Sequence, residues 1–284
     1  MIDKIISLFY DSCPGVIRSL DAIENALKAD GNHFIYRFDC DKLIACAVIN
    51  KNIVVMLCVH PDYRKRGIGS ALFNECEDYA RSLGCDHIQL FGFDDYITPG
   101  APIYEGNWEF FVKRGYEHTW GDGECVDMMM ELRDFHHTEN KLGDTINGIT
   151  YRRAFIADRD RVQECLMDAA DYFAPYYMDD ALYDPENCEF PLIALDGDLV
   201  VGTLLVGAEI EGDDLGTVGC TATRHSHRGR GVATNMVKLG TRWLKEQGLK
   251  NGYLGFTYTD IIPMYGKSGY SVSMKYFMGK KNLK

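Results

Sequence analysis

The sequence predicts an α/β (α+β) protein built from two tandem copies of one domain, and three observations carry that prediction. A glycine turn occurs twice, as Arg64-Lys65-Arg66-Gly67-Ile68-Gly69 and, 164 residues on, as Arg228-Gly229-Arg230-Gly231-Val232-Ala233. Each copy follows an apolar strand-like run and opens an amphipathic helix. The same shift maps Ile68 onto Val232, Leu72 onto Met236, Tyr79 onto Trp243, Ala80 onto Leu244 and Gly84 onto Gly248. These apolar positions recur at helical spacing, and the closing glycines stand where a helix C-cap belongs. A chain of 284 residues suits two domains of ordinary size.

Taken in order, helical patterns cover residues 2–10 and 15–29, with Pro14 at the start of the second. Strand-like runs follow at His33–Phe38, Leu43–Asn50 and Ile53–Val59, then the loop and long helix over 64–84. His87–Phe91 reads as a strand, Glu105–Lys113 as a helix ending at Arg114-Gly115, and Cys125–Leu132 as the strand that closes the first domain, 1–134. Residues 135–147 are polar and without periodicity, a linker.

The second domain, 148–284, repeats the order but begins with a strand, Ile149–Ala154, that the first domain lacks or borrows. Asp158 caps a helix to Ala170, and a second helical stretch holds Tyr172, Phe173, Tyr176 and Tyr177. Strands follow at Phe190–Leu195, Leu199–Glu209 and Thr217–Thr223, then the loop and helix over 228–247. The strand Gly252–Phe256, a helix around Ile261–Lys267 and a last strand, Ser271–Gly279, complete the pattern.

The net charge is −12, split −9 over 1–134 and −3 over 135–284, which disfavours nucleic acid and anionic membrane as partners. No apolar run approaches the roughly 18 residues that span a bilayer. None of the ten cysteines forms a C-x-x-C pair, so buried free thiols are expected and a metal is not. A cytoplasmic protein is the expectation.

The paired loops read as phosphate sites. A helix start offers backbone N–H groups without intrahelical partners, and the helix dipole favours an anion there. Gly67, Gly69 and Gly231 let an anion come close to the backbone, and Ala233 is the smallest alternative. Arg64, Arg66, Arg228 and Arg230 supply positive charge, or are solvated surface residues.

The chain resembles the GNAT acetyltransferase superfamily in a tandem arrangement. The family loop, [Q/R]-x-x-G-x-[G/A], is matched twice. The family's second motif, a short helix ending in Tyr-x-Lys-x-Gly-[Phe/Tyr], is matched by Tyr265-Gly266-Lys267-Ser268-Gly269-Tyr270. Its first-half counterpart is Phe111-Val112-Lys113-Arg114-Gly115-Tyr116. The resemblance implies a mixed, mostly antiparallel central sheet flanked by helices in each half.

The resemblance also implies acetyl-CoA as cosubstrate, without a metal. Its diphosphate would lie on Arg64, Lys65, Arg66, Gly67, Ile68, Gly69 and Ser70 in the first half. In the second half it would lie on Arg228, Gly229, Arg230, Gly231, Val232, Ala233 and Thr234. The pantetheine arm would run along the preceding strand, at Leu57–Val59 and Ala222–Arg224, with Val59 and Thr223 next to the loops. A primary amine, from a small molecule or a peptide, would attack the thioester directly, and Tyr265 would protonate the departing thiolate. Tyr265 could instead be a core aromatic.

Phe111 cannot donate a proton, so catalysis is expected in the C-terminal half. The N-terminal half would then be a degenerate acetyl-CoA-binding copy, with Tyr104 nearby in sequence. No motif fixes a general base: Glu209, Glu211, Asp260 or a water chain are the alternatives. Monomer and homodimer are both open. The alternative from another class is a CoA-binding sensor or scaffold without turnover.

Overall fold

The computed structural model describes residues 1–91, 97–104, 108–119, 124–208 and 214–284. It forms two compact units, Met1–Val126 with Ser273–Lys284, and Asp127–Val272.

The first unit opens with helices α1 (Ile2–Ser12) and α2 (Leu20–Lys28). The second helix starts later than its pattern suggested. Ser19 caps it, its hydroxyl accepting the Ala22 N–H at 3.3 Å, while Pro14 lies in the turn before. An antiparallel meander follows: β1 (Asn32–Asp39), β2 (Lys42–Asn50) and β3 (Ile53–Val59). Every residue of β2 after Lys42 is buried, which marks it as a strand covered on both faces. Helix α3 (Ile68–Ser82) packs its Leu72, Phe73, Cys76 and Ala80 stripe onto this sheet. Leu72 and Phe73 each contribute on the order of 1.5–3 kcal/mol by leaving water, and the smaller Ala80 roughly 0.8 kcal/mol. Gly84 ends it with φ 76°, the left-handed value a closing glycine supplies.

Strand β4 (His87–Leu90) then runs parallel to β3, paired only at Ile53 with Gln89 and Val54 with Leu90. Beyond those pairs β3 continues to Val59 beside β2 without β4, so β3 and β4 part. Next come β5 (Ala101–Pro102), α4 (Trp108–Val112) and β6 (Glu117–His118). Residues 105–107 of the expected helix Glu105–Lys113 lie outside the described residues. Among the described residues no strand precedes β1 in this unit.

The second unit takes up β7 (Glu124–Glu131) from Asp127 onward, then β8 (Thr145–Ile146), β9 (Ile149–Arg153) and α5 (Arg159–Ala169). Strands β10 (Glu189–Asp196), β11 (Leu199–Gly207) and β12 (Leu215–Thr223) form its meander. Helix α6 (Val232–Glu246) covers it, and Gly240 lies close on the sheet: a Cβ there would stand 3.0–3.1 Å from Val206, Leu204 and Val218. Strand β13 (Asn251–Tyr258) pairs in parallel with β12 only over Leu215–Thr217, repeating the parting seen between β3 and β4. Helix α7 (Ile262–Gly266), β14 (Ser271–Phe277) and β15 (Gly279–Asn282) end the chain.

Strand order departs from sequence order in both sheets. In the first sheet it is β1-β2-β3-β4-β15-β6, so the last strand of the chain fills the space beside β4. Lys280 pairs with Gln89 on one side and Glu117 on the other. In the second sheet β7 stands between β14 and β13. The sequence reading ended the first domain at residue 134 and began the second at 148. The strand exchange instead assigns 127–134 to the second unit and 273–284 to the first.

Residues 135–147, read as a linker, belong to the second unit. Lys245 holds the carbonyls of Arg133 and Phe135 at 3.0 Å each, and Thr145–Ile146 pairs back onto β9. The segment lacks periodicity because main-chain hydrogen bonds fix it. No helix among the described residues is long and apolar enough to cross a membrane.

Candidate active site

The two loops adopt one conformation. Gly67 is the N-cap of α3 with φ 79°, and Gly231 the N-cap of α6 with φ 79°. Two residues earlier the chain is again left-handed, at Lys65 (φ 60°) and Gly229 (φ 76°). Alternating left-handed residues turn successive N–H groups to one side, which makes an anion cradle.

The first intrahelical bonds are Ala71 N–H to Gly67 O and Asn235 N–H to Gly231 O, both 3.0 Å. The N–H groups of Ile68, Gly69 and Ser70, and of Val232, Ala233 and Thr234, therefore have no acceptor within their helices. A Cβ at Gly67, Gly229 or Gly231 would meet nothing within 4 Å, so the cradles stand open. The residues fit a diphosphate.

The first arginine of each loop does something the sequence did not suggest. Arg64 gives Nε to Val59 O at 3.0 Å and Nη2 to Ser12 O at 2.7 Å. Arg228 gives Nε to Thr223 O at 3.3 Å and Nη2 to Ala169 O at 3.1 Å. Each staples the end of a strand to the end of a preceding helix, a use of the guanidinium fork that a phosphate role would compete with. The remaining loop cations are Lys65, Arg66 and Arg230. Arg66 lies over the Tyr63 ring at 5.1 Å, and Arg230 stands 3.7 Å from Asp196.

In the first unit the parting of β3 and β4 opens into a cleft of about 460 Å³. The loop from Arg64 to Ser70 forms one end, Leu57, Cys58 and Val59 one wall, and Phe91, Phe110 and Phe111 the apolar end. Phe111 is also a packing residue, in edge contact with Phe73 at 5.5 Å and stacked on Phe277 at 5.9 Å. Tyr104 lines the cleft too, and its hydroxyl donates to Pro14 O at 2.9 Å.

In the second unit the counterpart of Phe111 is Tyr265, buried, its hydroxyl 3.0 Å from Thr221 Oγ1. Burial pushes its pKa up to about 12, against a smaller lowering by Thr221. The following tyrosines also correspond. Tyr270 meets Thr241 at 3.0 Å and Tyr116 meets Glu77 at 3.5 Å, and positions 77 and 241 are themselves related by the repeat.

Beside Thr221, strand β12 carries a bulge. Thr203 pairs with Ala222 and Leu205 with Gly219, so Cys220 and Thr221 together oppose one residue, and Cys220 has φ 46°. Tyr177, fully buried, donates its hydroxyl to Cys220 O at 2.7 Å, and Tyr183 donates to Tyr177 O at 3.0 Å. A trans peptide holds C=O and N–H opposed, so the Thr221 N–H points away from Tyr177. In the first unit the β3 bulge falls earlier, at Val55, and Leu57–Val59 pair regularly with β2.

The aromatic run divides by burial. Tyr177 is core, Phe173 packs against it, and Tyr172 and Tyr176 are 68% and 59% exposed. The run forms 3₁₀ turns (Asp171–Tyr177, with Pro175 inside) rather than an α-helix. Asp158 is the N-cap residue of α5 as expected, but its side chain makes no capping bond; its carboxylate accepts the Phe155 N–H and pairs with Arg152 and Arg161.

Of the base candidates, Asp260 is exposed ahead of α7, and Glu209 and Glu211 lie outside the described residues. Sequence reasoning missed Glu189, at the start of β10. Burial, then the charge of Asp179, raises its pKa, and its charge acts on Cys220. Its position at a strand start gave no signal. Among the described residues no cluster of three or more His, Cys, Asp or Glu is arranged to hold a metal ion.

A family model described as "Acetyltransferase (GNAT) family" matches residues 3–105 and 159–270, well over half of the chain. Curated proteins gave no match. Among solved structures, the chain is similar to a GCN5-related glucosamine N-acetyltransferase region of a fungal multi-domain GH3 β-N-acetylglucosaminidase (TM-score 0.75, 18% identity). That match covers 98% of this chain and 36% of the other, so this chain spans about a third of that protein's length. It is also similar to a tandem GNAT protein from the clavulanic acid biosynthesis pathway (0.69, 14%, covering 100% and 95%). A GCN5-related N-acetyltransferase from Sphaerobacter thermophilus is a third (0.67, 18%, covering 93% and 85%). At these identities the likeness concerns the fold.

Proposed function

The chain belongs to the acetyltransferase (GNAT) family, and from that premise we propose that it transfers an acetyl group from acetyl-CoA to a primary amine, with the chemistry in the second unit. One observation carries the assignment: Tyr265 is hydrogen-bonded to Thr221, inside the β12 bulge, where the first unit has Phe111 and a regular strand.

The amides of Val232, Ala233 and Thr234 hold the diphosphate, with Arg230 adding charge. The thioester lies against the bulge. The Thr221 N–H, turned away from Tyr177, meets the oxygen that becomes negative as the amine attacks. Glu189, with its raised pKa, takes a proton from the incoming ammonium. Tyr265, neutral up to about pH 12, gives its proton to the departing thiolate. The first unit binds a second acetyl-CoA through Lys65, Arg66, Gly67, Ile68, Gly69 and Ser70, with Val59 beside the arm.

The acceptor is a small-molecule or peptide amine. Glucosamine, named for the fungal region, belongs in the first acceptor screen. Tyr265→Phe tests the assignment: kcat falls by about 10²–10⁴-fold with an unchanged Kd for acetyl-CoA. Undiminished kcat removes Tyr265 from the mechanism.

A further inference from the structure

The cleft of the first unit holds two cysteines. Cys13 is the C-cap of α1, and Cys58 lies on β3, next to Val59; both line the cleft, and their sulfurs are 4.0 Å apart. The second unit is an internal control. Ala170 is the C-cap of α5 as Cys13 is of α1, each N–H bonding back four residues, and Ala222 occupies the place of Cys58 in the repeat. Ala170 and Ala222 sit together in one apolar core cluster. Where one copy of the fold puts two methyl groups, the other puts two thiols, in the copy that has Phe111 at the place of Tyr265.

We propose that Cys13 is a nucleophile that takes the acetyl group of acetyl-CoA bound in this cleft, forming an acetyl thioester on the protein. The inference rests on the acetyl-CoA reading above. The Cys13 sulfur attacks the thioester carbonyl, a carbon–sulfur bond to Cys13 forms, and the bond to CoA breaks. CoA leaves as the thiolate and recovers the proton that Cys13 gave up, so one thiol and one thioester become another of each.

Exchange between a thiolate and a thioester conserves charge, so it needs no acid where Phe111 stands. The surroundings favour the thiolate at Cys13. The Cys58 thiol, 4.0 Å away, hydrogen-bonds with it, and the Arg64 guanidinium adds positive charge; together these outweigh burial and lower the Cys13 pKa, while that of Cys58 is raised. The thiolate is the reacting form of a cysteine.

The test is intact-mass and peptide mapping of the whole protein after incubation with acetyl-CoA and no amine. One acetyl group is expected at Cys13, reversed by excess CoA and absent in Cys13→Ser. Cys58→Ala, which keeps the nucleophile and removes its hydrogen-bond partner, slows formation about threefold or more. Unmodified Cys13, with the heat of one of two sites abolished by Gly67→Asp, overturns the proposal and leaves acetyl-CoA binding in this cleft standing. Absence of that heat overturns both. Equal labelling of the exposed Cys40 and Cys188 shows undirected acetylation and also overturns it.

Discussion

Tyr177 donates its hydroxyl to the carbonyl of Cys220 at 2.7 Å, across 43 residues, and so fixes the one residue of β12 with left-handed backbone. A non-glycine residue in that region costs of order 1–3 kcal/mol and persists only where its surroundings enforce it. Tyr177→Phe leaves a buried carbonyl without its donor, which costs about 1–3 kcal/mol of stability. If the bulge orients the Thr221 N–H, kcat falls as well, while Kd for acetyl-CoA is kept. Loss of stability with kcat intact would make the clamp purely structural.

The pH profile follows from Tyr265 and Glu189. Glu189 must be ionised to act as base, and its pKa is raised, so the acid limb of kcat lies above the ordinary glutamate value of 4.5. Tyr265 ionises near 12 when folded against 10.0 in the ordinary case. It therefore causes no fall in activity at mildly alkaline pH. Its contribution to stability is intact below pH 10 and is lost as pH rises from there through 12. For Glu189 the folded pKa is also the higher one, so it lowers stability as pH rises through that value. Glu189→Gln is then expected to be more stable than wild type at neutral pH and less active, read by thermal unfolding and by kcat. A less stable, fully active variant would contradict this.

Arg64 ties the end of β3 to the end of α1 through two main-chain carbonyls. Arg64→Ala removes donors to Val59 O and Ser12 O, and a stability loss of about 1–3 kcal/mol in denaturant unfolding is expected. Joint replacement of Lys65 and Arg66 by alanine is expected to do the reverse, weakening acetyl-CoA binding and sparing stability. A large affinity loss in Arg64→Ala without destabilisation would return Arg64 to the phosphate.

Lys281, in β15, places Nζ 2.9 and 2.8 Å from the two carboxylate oxygens of Glu77, which is buried in α3. Lys281→Met leaves Glu77 with Arg81 Nη2, at 3.3 Å, as its remaining cation and costs about 1–3 kcal/mol. Replacing Glu77 by glutamine in the same chain recovers most of it. A neutral Lys281→Met would contradict the placement of β15 beside β4.

The local elements were legible because their signals are local. The loops, the stripes of α3 and α6, and the strand Ile53–Val59 follow from periodicity and glycine placement, and the Tyr265 motif from a short spacing. What escaped is set by pairing at a distance. The run Glu124–Glu131 reads as a strand but names no partner, so its transfer to the second unit, and that of Gly279–Asn282 to the first, left no trace in composition. Arginine spacing could not show that Arg64 and Arg228 turn to carbonyls at the ends of α1 and α5. The meeting of Cys13 with Cys58, and of Tyr177 with Cys220, depends on the same tertiary contacts. Glu189 looks like any strand-end carboxylate in the sequence; only its partial burial in the fold sets it apart.

The central claim is that both glycine cradles, Gly67 and Gly231, hold acetyl-CoA. Titration calorimetry of the whole protein tests it most directly by counting sites. Two acetyl-CoA per chain are predicted, falling to one in Gly67→Asp and one in Gly231→Asp, since an aspartate there repels the diphosphate. No binding to the wild-type protein, or two sites that survive both substitutions, would contradict the account.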